Sequence, residues 1–470
     1  MLLRYFYDEN LAQASYFVGC QETAEAIVVD PARDIKPYLA AAEADEMQIV
    51  AITETHIHAD FVSGSRELAE RIGAKVYLSD CGDENWKYGF TNRLNHTLLL
   101  DGDIFCVGNL RFETLHTPGH TPEHISFLLT DSVSADEPMG LFSGDFVFVG
   151  DVGRPDLLET AANIMGTAEL GARQMFRSLQ RFRQLPDFLQ VWPGHGAGSA
   201  CGRDLGAVPT STAGYEKKFN WAFAVEDENT FVEMLLADQP ETPKYFGVMK
   251  VVNKEGPRFL SDIPGIKKAP FQRLESALKE GRAVVDTRPA EQFAGGHIPG
   301  TINIPHESSF SNWAGWLLDY DKPFYLISDD RRVSEAVRNL AAVGLDNCGG
   351  YFDTGSLDLW VESEMDLAYY VEEEPYWLGP RIGNGTVSLI DVRGLREWEE
   401  EHIPGAQHIM LGYLNDRVAD IPPGRPVVVQ CRIGVRSSIA ASILKAQGLE
   451  DVINLRGGIE GWKAAGLPTN

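Results

Sequence analysis

Residues 54–63 read ETHIHADFVS and place two histidines and a carboxylate, His56, His58 and Asp60, in one short run. Imidazole and carboxylate are the common protein ligands of zinc and iron, and a short loop can aim several of them into one cavity. The same residue types recur downstream. TLHTPGHTPEH contains His116, His120 and His124, LFSGDFVFVGDVGRPDL contains Asp145, Arg154 and Asp156, and VWPGHGAGSACG contains His195 and Cys201. Each piece lies just beyond a predicted strand, where loops on one edge of a sheet can converge. A different chemistry is offered near the end of the chain, where VVVQCRIGVRSS carries Cys431 from an apolar strand into a helical stretch. Gly434 permits a tight loop there, a placement that favours a reactive thiol over an inert buried one.

The elements that would hold these residues fall into roughly three domains if about 150 residues is taken as a domain. The apolar fraction of 44% is that of a globular protein. A formal charge of −27 argues against nucleic acid and against an anionic membrane surface, because neither can be neutralised without clustered Lys and Arg. The N-terminal MLLRYFYDEN lacks the apolar core of a signal peptide, and no apolar stretch of about 18 residues is present to span a bilayer. A cytoplasmic protein is expected. The six cysteines, Cys20, Cys81, Cys106, Cys201, Cys348 and Cys431, form no C-x-x-C pair and are read as reduced thiols, mostly buried.

The second half contains a duplication. AVVDTRPAEQFAGGHIPGTINIP and SLIDVRGLREWEEEHIPGAQHIM match without a gap at an offset of 105 residues, so that Asp286, Arg288, His297 and Pro299 correspond to Asp391, Arg393, His402 and Pro404. Each copy alternates short β-branched runs with helical stretches, which predicts a parallel sheet with helices on both faces. The copies are expected at 258–365 and 375–470, with the acidic ESEMDLAYYVEEEPYW between them as a linker.

The D-x-R strand end, the H-I-P-G-A turn, the C-R-x-G-x-R loop and the closing GGIEGW of the second copy resemble the rhodanese family of sulfurtransferases. That resemblance implies a loop whose backbone N–H groups surround the Cys431 sulfur at a helix start, with Arg432 and Arg436 adding positive potential, so that Cys431 carries a persulfide. In the first copy Ser328 takes the place of Cys431, and SDDRRVS brings Asp329 and Asp330 to the loop. This copy is expected to be catalytically silent, and Cys348 lies too far along to substitute.

Residues 1–245 resemble the metallo-β-lactamase superfamily, which implies an α/β fold, an αββα sandwich, ahead of two α/β parallel-sheet rhodanese domains. In two-metal members one ion takes positions matching His56, His58, His120 and Asp145, and the other takes positions matching Asp60, residue 61, Asp145 and His195. Phe61 stands where the second ion's histidine belongs, so one metal per chain is expected. Among one-metal members the resemblance is to the persulfide dioxygenases, which implies Fe(II) held by His56, His120 and Asp145. His58 and Asp60 then orient ligands and water, although zinc could recruit His58 as a fourth ligand. His195 lines the pocket or serves the fold. Cys201 either positions or relays a persulfide or is a structural thiol. His116 and His124 are read as structural, His96 as a surface residue, and Arg154 with Asp156 as an internal ion pair or a substrate contact.

The joint resemblance implies oxidation by O2 of a low-molecular-weight thiol persulfide, that of glutathione, coenzyme A or a related thiol, to sulfite, coupled through Cys431 to formation or use of thiosulfate in sulfide detoxification. Two rival classes are a zinc thioester hydrolase of glyoxalase II type and a non-catalytic sulfur carrier. Paired metals are usual in the hydrolases, and structural zinc sites are usually closed by four protein ligands; both considerations favour the dioxygenase. The sequence leaves the oligomeric state open, a homo-oligomer included.

Overall fold

The strand Gln13–Cys20 is buried at every residue, and the two-residue period of a strand sorts its side chains: Ala14, Tyr16, Val18 and Cys20 face one apolar layer while Phe17 faces another. Such a strand must lie in a sheet covered on both faces. The computed structural model describes residues 1–157, 159 and 166–470. Its first unit comprises Met1–Ile263 with Ala341–Gly344, and its second Pro264–Leu340 with Leu345–Asn470.

In the first unit six strands lie side by side in chain order: β1 (Leu2–Asp8), β2 (Gln13–Cys20), β3 (Glu25–Val29), β4 (Gln48–Thr53), β5 (Lys75–Ser79) and β6 (His96–Leu99). They are antiparallel from β1 to β3 and parallel from β3 to β6. The second sheet is built from β7 (Ile104–Val107), β8 (Leu110–His116), β9 (Ile125–Asp131), β10 (Gly140–Gly144), β11 (Gln190–Pro193) and β12 (Ser211–Thr212), again in sequence order. Only its β10–β11 pair is parallel. Val18, Ile27, Phe112, Phe127, Phe142 and Trp192 fill the space between the sheets. Helices Lys36–Ala44 and Ser65–Ile72 cover the outside of the first sheet through Tyr38, Ala42 and Leu68. Thr167–Phe182 and Glu228–Leu236 cover the second through Met175, Leu179 and Phe231. This is the expected αββα sandwich. Each large side chain removed from water in these layers contributes about 1.5–3 kcal/mol, which holds the sheet edges still enough to carry a site. His96 begins the edge strand β6, with its Nδ1 3.0 Å from the Leu94 carbonyl oxygen.

The second unit contains two parallel sheets. Val284–Asp286 (β13), Ile302–Asn303 (β14), Phe324–Ile327 (β15) and Cys348–Phe352 (β16) form the first, in the order β14-β13-β15-β16. Val371–Glu373 (β17), Ser388–Asp391 (β18), Gln407–His408 (β19), Val427–Gln430 (β20) and Val452–Leu455 (β21) form the second, in the order β17-β21-β20-β18-β19. The duplicated turns repeat in detail. His297 stacks on Phe293 at 3.8 Å and donates from Nδ1 to its carbonyl, and His402 does the same with Trp398 at 4.3 Å.

The acidic stretch expected to be a linker is largely structured. Ala368 pairs with His297, β17 adds to the sheet beside β21, and Pro375–Gly383 is helical. Three residues of strand are too few to show a period, so only the pairing reveals them.

Candidate metal centre and sulfur-carrying loop

The loops that follow β4, β8 and β10 bring His56, His120 and Asp145 together, with their ligand atoms within 4.8 Å of one another. His120 Nε2 is 3.4 Å and His56 Nε2 3.9 Å from Asp145 Oδ2. Second-layer hydrogen bonds set the tautomers. His120 Nδ1 lies 2.9 Å from the Arg154 carbonyl oxygen, which can only accept, so Nδ1 carries the proton and Nε2 presents a lone pair. His56 Nδ1 is 3.0 Å from the Thr55 hydroxyl, which donates to Asp30 and so accepts from the ring. Burial holds His56 well below, and His120 below, the ordinary imidazole range, which keeps both neutral. Burial pushes Asp145 the other way, but the histidines around it, His195 and His120 first, keep it ionised below the ordinary value.

These are buried lone pairs with no N–H or O–H to match. His56 Nε2, His195 Nε2 and both oxygens of Asp60 and Asp145 are buried with no hydrogen-bond partner among the described residues. Buried polar atoms are seldom left so, and two lone-pair imidazoles facing a carboxylate suit a divalent cation. The residues present therefore fit a metal at His56, His120 and Asp145.

His58 is turned elsewhere. Its Nε2 meets Asp30 Oδ1 at 3.1 Å, and although burial opposes its charge, Asp30, Glu54 and Asp60 raise it to about 9. Phe61 is buried against it, ring centroids 4.4 Å apart. His195 donates from Nδ1 to the Ala12 carbonyl at 3.1 Å and points Nε2 at Asp60. Cys201 joins Asp60 and His195 in a second buried group of ligand atoms within 4.8 Å. Burial, with Asp60 and Asp145 alongside, pushes its thiol well above the usual range. His124 Nε2 accepts from the Asp145 N–H at 3.0 Å, and His116 donates to the Pro122 carbonyl. Arg154 is buried and paired with Asp156.

Three contributors escaped the sequence reading. Asp30 orients both Thr55 and His58; an apolar run ending in Asp, the pattern that flags Asp145, was the available signal. Asn253, on the helix Phe246–Glu255, donates at 2.7 Å to the carbonyls of His58 and Phe61 and accepts from Ser63 N–H, fixing the motif loop. Glu123 accepts from Ile57 N–H at 2.8 Å. Gly144 has φ +51°, and a Cβ there would stand 2.5 Å from Thr55 Oγ1, so glycine is required where the Asp145 loop leaves β10.

The sequence profile of the metallo-beta-lactamase superfamily matches residues 9–195. A crystal structure of a metallo-beta-lactamase from Staphylococcus aureus is 44% identical, covers 75% of this chain and 99% of its own, and has a TM-score of 0.68. A hydroxyacylglutathione hydrolase from Cyanothece sp. is 30% identical over 257 residues, 53% of this chain and 84% of that protein.

The chain belongs to the metallo-β-lactamase superfamily. A further superfamily relative, a beta-lactamase hydrolase-like protein from Xylella fastidiosa, is 27% identical over 51% of this chain, and the match spans 56% of that protein's length. Beyond the metallo-β-lactamase domain, the rhodanese-like domain profile matches residues 271–362 and 374–465. The fusion of the two families is thus established, and both domain types indicate an enzyme.

In the second rhodanese domain Cys431 is buried at the end of β20. Gly434 N–H donates to its sulfur at 3.1 Å and the Ser437 hydroxyl at 3.4 Å, just where the helix Val435–Ala446 begins. Arg432 reaches outward, 69% exposed. Arg436 is paired with Glu397 through two contacts of 2.5 and 2.7 Å, so much of its charge is already matched and it braces the loop. In the first rhodanese domain Ser328 is buried after β15 with its hydroxyl unpartnered among the described residues. Asp329 and Asp330 do not enter that loop as expected. Asp329 turns out to Arg331 and Asp330 toward Lys268, both half-exposed, because hydration is cheaper than burying two carboxylates side by side.

Proposed function

We propose that the chain is a non-haem Fe(II) persulfide dioxygenase joined to a sulfurtransferase, acting on a low-molecular-weight thiol persulfide such as that of glutathione or coenzyme A in the cytoplasm. The observation that carries the reading is the set of two neutral imidazoles and one carboxylate converging at His56, His120 and Asp145, in the same chain as the Cys431 loop. Iron bound by that set would supply O2 activation and a Lewis-acid position for sulfur. The net reaction is RSSH + O2 + H2O → RSH + SO3²⁻ + 2H⁺.

This chain's residues have separable tasks in it. The Arg154 carbonyl and Thr55 fix the rings of His120 and His56, while Asp30 holds His58 protonated beside them. Phe61 keeps water from one wall of the cavity. At the other site the Cys431 thiolate attacks the outer sulfur of a second thiol persulfide, whose S–S bond breaks and whose thiol leaves; sulfite then attacks the outer sulfur of the Cys431 persulfide, thiosulfate leaves, and the thiolate returns to its N–H donors. The reverse transfer uses the same loop. The Cys-less copy serves as a structural or docking module.

The likeness to a hydroxyacylglutathione hydrolase favours a second reading, metal-assisted hydrolysis of a glutathione thioester. Oxygen uptake separates the two. Iron-loaded protein given glutathione or coenzyme A persulfide is expected to consume O2 and yield thiosulfate, with sulfite accumulating in Cys431→Ser. No uptake with either persulfide, alongside hydrolysis of S-lactoylglutathione, would replace the dioxygenase by the hydrolase.

A further inference from the structure

Of the loop that begins at His56, only His56 belongs to the convergent ligand set, so a metal would hold its first residue and leave 58–63 to contacts with the protein. Most of those contacts come from one distant amide. Asn253 is 1% exposed, and both of its N–H groups donate to this loop, to the carbonyls of His58 and Phe61 at 2.7 Å, while its Oδ1 accepts from Ser63 N–H at 2.9 Å. Both amide donors and the amide oxygen are thus committed to a single loop. Val62 N–H donates at 2.8 Å to the carbonyl of Ala342, which belongs to the same unit.

The segment that carries Asn253 is itself tied down. After the helix Phe246–Glu255 the chain runs across the sandwich through residues 256–261, where three charged side chains meet its backbone. Arg66 donates to the carbonyls of Gly256 and Pro257 at 3.0 and 2.9 Å, and its guanidinium lies 4.9 Å from the centroid of the Phe259 ring. Glu67 accepts from Leu260 and Ser261 N–H, and Arg33 donates to the Arg258 carbonyl at 3.1 Å. Arg33 and Glu67 are buried, and a buried charge persists only where hydrogen bonds replace its water. Both find some of those bonds on this segment.

We propose that residues 246–261 form a strap that positions the metal loop, with Asn253 as its positioning residue. The strap supplies no ligand of the His56, His120 and Asp145 set. Its influence runs through hydrogen bonds: Asn253 fixes the His58 carbonyl, the His58 ring meets Asp30, and Asp30 accepts from the Thr55 hydroxyl that orients His56. Releasing the strap frees the His58 end of that chain, and the His56 ring loses its fixed aim. The inference rests on the metal centre of the proposed function and is independent of which reaction runs there.

The test uses full-length protein loaded with Co(II), read by its d–d absorption and by competition with a chelator. Asn253→Ala is expected to alter the d–d bands and to weaken binding about tenfold. Asn253→Asp should do the same, since it keeps the shape and the acceptor for Ser63 N–H but sets carboxylate oxygens against two carbonyls. Arg66→Ala, whose partners are Gly256, Pro257 and Phe259 instead of a metal ligand, is expected to weaken binding severalfold through the strap. Sulfur transfer from thiosulfate to cyanide at Cys431 should be unchanged in all three. A merely structural role would lower the melting temperature and leave the bands and the affinity of the folded protein as they were, and that result overturns the proposal. If the Asn253 variants do not fold, the same two readouts on Arg66→Ala decide. Shifted bands in a chain that consumes no O2 would keep the strap and remove the dioxygenase; oxygen uptake with unshifted bands would remove the strap alone.

Discussion

At the scale of single residues, the candidate ligand types and their order were legible because chemistry restricts them to few side chains. His56, His120, Asp145 and Cys431 could be named from short runs of sequence, and the structure brings the first three together. Their partners were not legible, since a backbone carbonyl such as that of Ala12 or Arg154 has no sequence signature. Asp30 and Asn253 lie 26 residues before and 197 after His56, and only folding makes them neighbours. Outer-layer groups orient the ligands, so removing one is costly. Asp30→Asn is expected to weaken metal binding by about 10–100-fold in a chelator competition. A shift below about twofold would show that the Asp30 contacts to Thr55 and His58 do not orient the centre.

At the scale of elements, the duplicated strands were readable because an apolar run ending in D-x-R recurs at a fixed offset. Strand β17 was not, because its three residues carry no pattern and acquire meaning only against β21. The repeated histidine–aromatic stack makes a testable contribution to stability. Burial, partly offset by the Phe293 carbonyl, lowers His297 from 6.5 to about 4. The folded form therefore binds fewer protons than the unfolded chain between those values, so this stability is present above pH 6.5 and lost as pH falls toward 4. His297→Asn should flatten that part of the stability curve, measured by urea unfolding at each pH. An unchanged slope would remove His297 as its source. In the other copy, Gly458 has φ +58° and a Cβ there would meet the Cys431 carbonyl oxygen at 2.2 Å. Gly458→Ala is expected to cost about 1–3 kcal/mol of local strain and to lower thiosulfate formation far more than oxygen uptake. Equal losses in both assays would contradict a loop-specific effect.

At the scale of the whole molecule, the formal charge of −27 sets the approach of substrates. The proposed substrates, thiol persulfides of glutathione or coenzyme A with sulfite and thiosulfate, are all anions, so the summed field would oppose their arrival, while Arg432 at the mouth of the Cys431 loop offers only local attraction. No helix among the described residues is long and apolar enough to cross a membrane. Screening should weaken the opposing field, because the Debye length falls from about 30 Å at about 0.01 M salt to about 8 Å at about 0.15 M. Repulsion spread over the surface acts at the longer distance and is lost first; a contact made at Arg432 survives. The kcat/KM for an anionic persulfide is therefore expected to rise severalfold over that range, and that for an uncharged alkyl persulfide kept below its own pKa to stay flat. A fall with salt for the anionic substrate would mean that a local positive field outweighs the net charge, and would direct attention to Arg432→Ala as the change that removes it.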